Sequence, residues 1–120
     1  MAVKLVVSDD IEFDVKFTLN DNGKSSEFGF RAHGKRLPQD RLTAEVKESG
    51  LTLSEFLQQR GNVRMVSWIG DSPLVDDDTN AAIEAGSGAL QALLDIVSNM
   101  AMVLFNAYLD ANGAKAKQGN

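Results

Sequence analysis

Ile11-Glu12-Phe13-Asp14-Val15-Lys16-Phe17-Thr18-Leu19 alternates large apolar and polar side chains without a break. A side-chain period of two puts Ile11, Phe13, Val15, Phe17 and Leu19 on one face of a β-strand and Glu12, Asp14, Lys16 and Thr18 on the other. A strand of this kind belongs to an antiparallel sheet with one side covered and one side wet. Asn20-Asp21-Asn22-Gly23 follows, a run rich in residues that tolerate positive φ. Alternation then resumes with Phe28, Phe30 and Ala32 against Glu27, Arg31 and His33. The two runs read as a hairpin. Upstream, Val3, Leu5 and Val7 predict another strand, with Ser8-Asp9-Asp10 as the turn into Ile11, so residues 1–34 read as a β-meander of three strands.

After Gly34 the period changes. Pro38 suits a first helical turn, and Leu42, Val46 and the stop at Gly50 predict a helix over 38–49. Thr52 with Glu55 three residues later forms a capping-box pattern ahead of Phe56 and Leu57, predicting a helix over 53–60 that ends at Gly61. Residues 63–69, with Met65, Val66, Trp68 and Ile69, fit a turn of helix or a short strand, and are assigned to helix. Gly70-Asp71-Ser72-Pro73 is a turn. Asp76-Asp77-Asp78 leads into Thr79 as the polar start of a last helical region, where the macrodipole favours negative charge. Gly86-Ser87-Gly88 divides that region, leaving one long helix over 89–112, a stop at Gly113 and a flexible tail over 114–120. The expected fold is α+β in a single domain: a small N-terminal antiparallel sheet of about three strands packed with a helical region over 35–113.

Composition narrows the chemistry. The 120 residues carry 12 Lys+Arg, 17 Asp+Glu, one His and no Cys, for a formal charge of −5. That length suits one domain. Without cysteine there are no disulfides, thiolate nucleophiles or cysteine zinc sites. The acidity repels phosphate backbones, and the one basic cluster, Arg31, Lys35, Arg36 and Arg41, is offset by Asp40, Glu45 and Glu48, so no nucleic-acid partner is expected. His33 reads as an outward strand residue. The Asp76-Asp77-Asp78 run lacks the spacing, glycine and distal Glu of a calcium loop, and Gly86-Ser87-Gly88 lacks the Lys-Ser/Thr of a phosphate loop. The expectation is a non-enzymatic protein with no catalytic residues, cofactor or metal. The N-terminal residues hold too short an apolar stretch for a signal segment, which predicts a cytoplasmic location.

The most informative segment is 89–112. Spacing residues 100° apart gathers Gln91, Asp95, Ser98, Asn99, Asn106 and Asp110 into one polar stripe. Asp95, Asn99 and Asn106 would lie in hydrocarbon if this helix spanned a bilayer, so no membrane partner is expected. The remaining circumference is apolar, and Leu93, Ile96, Val97, Met100, Val103, Leu104 and Tyr108 belong to it. Met102 falls inside the polar stripe. Met100 and Met102, two residues and about 200° apart, cannot both face one core. One reading makes this the central core helix, covered by the sheet and the shorter helices. The other makes part of its apolar face a contact with a second copy or a client helix, with Met102 in the same candidate set. Charge is also uneven: residues 1–60 hold 9 basic and 10 acidic groups, residues 61–120 hold 3 and 7, giving −1 and −4.

The order and size of these features resemble the tail assembly chaperones of long-tailed phages and prophages. The resemblance rests on the N-terminal strand region, Thr52-Leu53-Ser54-Glu55-Phe56-Leu57, then Val66-Ser67-Trp68-Ile69-Gly70, the acidic turn, and the Leu- and Ala-rich helix ending Phe105-Asn106-Ala107-Tyr108-Leu109. It is clearest over residues 35–120. It implies a non-enzymatic protein that binds the long helical tape measure protein, keeps it soluble, helps recruit the tail tube protein and self-associates into rings or spirals. Such a protein acts in the cytoplasm of the bacterial host and is absent from the mature virion. Trp68 and Gly70 match the family's Trp-x-Gly; the residues themselves suggest that Trp68 anchors sheet to helices and Gly70 permits a turn. The alternative is a phage structural subunit, a tail tube, terminator or head–tail joining protein, in which the strand over 12–19 extends a sheet between neighbours.

Overall fold

The computed structural model describes residues 2–3, 6–38 and 42–113. Strands β1 (Asp10–Asp21) and β2 (Lys24–Lys35) form the hairpin, in unbroken antiparallel register from Asp10↔Lys35 to Asp21↔Lys24. Asn22 and Gly23 both take positive φ, 54° and 88°, the mirror-image turn whose twist matches that of the strands. Ile11, Phe13, Val15 and Phe17 are buried on the inner face, opposite Gly34, Ala32, Phe30 and Phe28.

The third strand is not the expected one. Val3, Val6 and Val7 are exposed and outside any strand, while Leu5 lies outside the described residues. Instead β3 (Arg64–Ile69) pairs antiparallel with β2, giving the order β1-β2-β3. Residues 63–69 are therefore strand and not helix. The helix-like spacing of this strand comes from a bulge: Ser67 opposes Arg31 but Met65 opposes Ala32, so Val66 is an extra residue. Met65 and Trp68, three apart, thus both lie over the inner face, a spacing that imitates a helix.

Four helices among the described residues complete the α+β fold. Helix α1 (Leu42–Ser49) begins later than expected; Pro38 is non-helical, and residues 39–41 lie outside the described set. Helix α2 (Leu53–Gln59) carries the capping box in full. The Glu55 amide donates to Thr52 Oγ1 at 3.2 Å, and the Thr52 amide donates to Glu55 Oε1 at 2.9 Å. That backbone donor holds the Glu55 carboxyl below its ordinary pKa. Phe56 and Leu57 then enter the core fully buried. At Gly61, where the chain leaves α2, an added Cβ would sit 2.9 Å from the Leu57 carbonyl, so only glycine fits beside Tyr108 and Val63.

The acidic run does not start a helix. Asp76 Oδ1 accepts from the amides of Asp78 and Thr79 at 2.9 and 3.0 Å, which also lowers its pKa, and Asn80 adopts φ 59°. With Val75 bridged to Ala82, residues 75–82 close a small loop. Aspartate closing a turn on its own backbone has won over aspartate capping a helix. Gly86 then opens helix α3 (Ser87–Ile96), and helix α4 (Met100–Asn112) follows. The expected single helix over 89–112 is thus two, separated by Val97-Ser98-Asn99. Val97 is extended, at φ −91° and ψ 113°. β-branched Val beside Ser and Asn is the weakest helix-forming triplet of the segment.

The core lies between the sheet's inner face and the helices. Tyr108 packs edge-on to Phe13 with centroids 6.1 Å apart, and Phe30 meets Trp68 at 6.3 Å and 87°. α4 lies against β1 and is tied to the chain just after β2 by polar contacts. Tyr108 Oη donates to the Lys35 carbonyl at 2.6 Å. Asn112, itself buried, accepts from the Leu37 amide at 2.6 Å and donates to the Leu37 carbonyl at 2.8 Å.

Candidate interaction surface

The break at 97–99 divides the apolar residues of the C-terminal segment into two sets. Leu93, Met100, Leu104 and Tyr108 are at most 0% exposed and form the core. Each makes the contacts a core residue makes, and none is available to a partner in this conformation. Ile96, in contrast, is 71% exposed and Met102 54%. Val97 and Val103 are half-buried between the two sets. The two methionines therefore separate as their angular spacing requires: Met100 points in and Met102 out.

Ile96 is the centre of the exposed set, because it lines two neighbouring grooves. The first, about 470 Å³, runs between the end of β1 at Phe17–Asn20 and the break, and is floored by Val97 and Val103. The second, about 660 Å³, lies between α3 and the loop holding the acidic run, with Val75, Ile83, Ala89 and Ala92 along it and Asp76, Asp77 and Glu84 at its rim. Val75, Ile83 and Ala92 are contributors that the sequence pattern did not single out. Leu74 and Val75 precede the acidic run and Ile83 follows the expected helix start at Thr79, so no single period in the sequence groups them.

The electrostatics of this end of the molecule are one-sided. From Met65 to Gly113 the sequence has no Lys or Arg and seven acidic residues. The Gln91 amide donates to Asp95 Oδ1 at 2.9 Å along the outer side of α3, which keeps that carboxylate on the wet stripe. The second groove thus combines apolar side chains with the carboxylates of Asp76, Asp77 and Glu84 among its lining residues.

Trp68 and Gly70 sit behind this surface. The indole Nε1 of Trp68 donates to the Ile83 carbonyl at 2.9 Å and so fastens the acidic loop to β3. Gly70 takes φ 81°, which turns the chain out of β3. Trp68 is half-buried against the core, so both residues position the surface without forming it.

The outer face of the sheet carries a charge cluster. His33 Nε2 lies 2.8 Å from Glu12 Oε2, and Arg31 Nε lies 3.3 Å from Asp14 and 3.8 Å from Glu12. His33 is an outward strand residue, as its place in the alternation indicates, held by a cross-strand carboxylate. Of the other basic residues, Arg36 Nη1 donates to the Asn112 carbonyl at 3.3 Å, and Arg41 lies outside the described residues. No group of three or more His, Asp or Glu side chains converges on a metal-sized site among the described residues. Among the same residues, no helix is long and apolar enough to cross a membrane. No protein-family model, curated protein or solved structure matches the chain.

Proposed function

We propose that this protein is a non-enzymatic assembly chaperone, of the kind that keeps a phage tape measure protein soluble during tail assembly in the bacterial cytoplasm. The observation that carries the reading is the exposed apolar surface around Ile96, set in a region free of Lys and Arg. An Ile side chain 71% exposed gains nothing for the isolated fold, since most of its apolar area stays in water. Lining both grooves, with Val97 and Val103 beside it in the first, it offers a partner helix an apolar seat. The surrounding carboxylates keep such a seat soluble before the partner arrives. Met102, exposed on α4, adds a side chain that adapts to varied partners along a repetitive client.

The test is co-expression with the tape measure protein, measuring how much of it stays soluble. Ile96→Asp and Met102→Glu are the informative variants, because both positions are exposed and tolerate charge in the fold. The expected result is loss of client solubility with an unchanged circular-dichroism spectrum. Equal solubility with wild type and both variants removes this surface from the mechanism. Mass spectrometry of purified virions checks the class: a chaperone is absent from the particle, whereas a tube, terminator or joining subunit is present in stoichiometric amount.

A further inference from the structure

We infer that two copies of this chain pair through the free edge of β1, antiparallel about a two-fold axis at Val15. β1 is an outer strand of the sheet, and no other strand among the described residues pairs with its second side. An edge strand presents a row of unpaired N–H and C=O groups, and proteins blunt it with short length, proline, bulges, inward-pointing charge, charged side chains along the edge, or a covering helix or loop. β1 lacks the first four; its outward charges, Glu12, Asp14 and Lys16, are of both signs, and only its end at residues 17–20 lies beside the break between α3 and α4. It is twelve residues long without proline, its register with β2 is unbroken, and every inward side chain from Ile11 to Leu19 is apolar. Its lysine, Lys16, points outward and makes no ion pair among the described residues.

The strand's own sequence specifies the occupant. Read outward from Val15 in either direction, it gives Asp or Lys, then Phe, then Glu or Thr, then Leu or Ile. Antiparallel pairing about Val15 therefore sets Phe13 against Phe17 and Ile11 against Leu19 on the inner face. On the outer face it sets Asp14 against Lys16, and does so twice. Moving the axis by one residue to Asp14 or to Lys16 puts two like charges directly opposite each other, which destabilises a sheet pair. Faces, apolar matches and charges thus agree on a single register. The other edge of the sheet is a poorer partner, because β3 has six residues and a bulge at Val66. Two-fold closure through β1 buries the long unprotected edge completely, and head-to-tail stacking onto β3 leaves half of it open. The inference rests on β1 alone and not on the proposed client, although residues 17–20 at the end of this edge also line the first groove near Ile96.

Sedimentation equilibrium over a micromolar concentration series tests it. The wild type is expected to approach about 26 kDa, twice the chain's 13.0 kDa. Lys16→Asp places two pairs of carboxylates face to face and weakens association roughly tenfold to a hundredfold. The double variant Asp14→Lys with Lys16→Asp restores opposite charges and recovers most of the affinity. Because the chain has no cysteine, thiols report the register. Mixed Asp14→Cys and Lys16→Cys chains are expected to oxidise to the heterodimer in excess over either homodimer, since cross-strand neighbours meet disulfide geometry. A monomer at every concentration, a dimer indifferent to Lys16→Asp, or predominance of homodimeric disulfides overturns the inference. If Lys16→Asp alters the circular-dichroism spectrum, the thiol experiment decides by itself.

Discussion

The C-terminal helices carry about twice the hairpin's proportion of apolar residue, 16 of 23 in α3 and α4 against 8 of 24 in β1 and β2, and dispose of it differently. From Ile11 to Leu19 every second side chain of β1 is apolar, all of these face one way, and Glu12 and Asp14 form cross-strand pairs on the wet side. In α3 and α4 apolar residues occupy most of the circumference, so the fold chooses which of them to bury. Leu93, Met100, Leu104 and Tyr108 go in, while Ile96 and Met102 stay out. A pattern with one apolar face leaves nothing over for a partner on that face. A pattern with excess leaves a surface. The hairpin has only its edge to offer, and the helices have a side.

The largest effect that sharpens this contrast is in the shared core. Phe30→Ala and Leu104→Ala, one from each region and both fully buried, should each cost about 3–5 kcal/mol in chemical denaturation. A much smaller loss for Leu104→Ala would mean that α4 is held less firmly than the sheet, and that its inner face is open to exchange. Asn112→Leu comes next. It removes both hydrogen bonds to the Leu37 backbone and leaves a half-buried amide and carbonyl without them, at about 2–3 kcal/mol. Equal melting of variant and wild type would show that the end of α4 is not clamped to the chain after β2.

Tyr108 supplies a pH test of the same clamp. Burial pushes its phenol up to about 12, with nearby Arg36 opposing that rise and Glu45 adding to it. The folded state thus prefers the neutral phenol, whose proton is donated to the Lys35 carbonyl. Stability from this group is fully present below pH 10, the ordinary value, and is lost as pH rises through about 12. Tyr108→Phe should lower stability at pH 7 by about 1 kcal/mol, through the lost hydrogen bond, and flatten the alkaline decline. An alkaline decline of the same slope in both proteins would break the assignment.

How much was legible in the sequence follows from the same contrast. Period two in residues 11–19 and the turn-prone residues 20–23 made the hairpin legible, and positive φ at Asn22 and Gly23 then sets its register. The capping box at Thr52 and Glu55 was legible because it is local. β3 was not, because a bulge at Val66 broke its alternation, and a bulge is a response to the neighbouring strand. The helix break at 97–99 was hidden for a related reason. Ser98 and Asn99 suit a polar stripe as well as an interruption, and only the packing of Met100 and Leu104 on the sheet decides between them. Of the candidate surface, Ile96, Val97, Met102 and Val103 stood in the sequence among core residues of the same chemistry. Ile83 leaves the expected helix because Asp76 closes a turn instead of capping one, and Val75 stood outside every expected element.

The smallest expected effect on stability separates the two regions most sharply. Ile96→Ser removes an exposed side chain from the end of α3, and surface changes of this kind stay within about 0.5 kcal/mol. Leu93→Ser, one helical turn earlier, puts a hydroxyl in the fully buried core and should cost several kcal/mol by combined cavity and desolvation terms. Residues three apart on one helix therefore differ by their place in the fold and not by their hydrophobicity. If denaturation midpoints for the two variants coincide, the division of the apolar helix into core and surface is wrong, and with it the seat proposed for a client. If they differ as expected while Ile96→Ser still lowers client solubility, loss of fold is eliminated as the cause and the effect belongs to the exposed side chain.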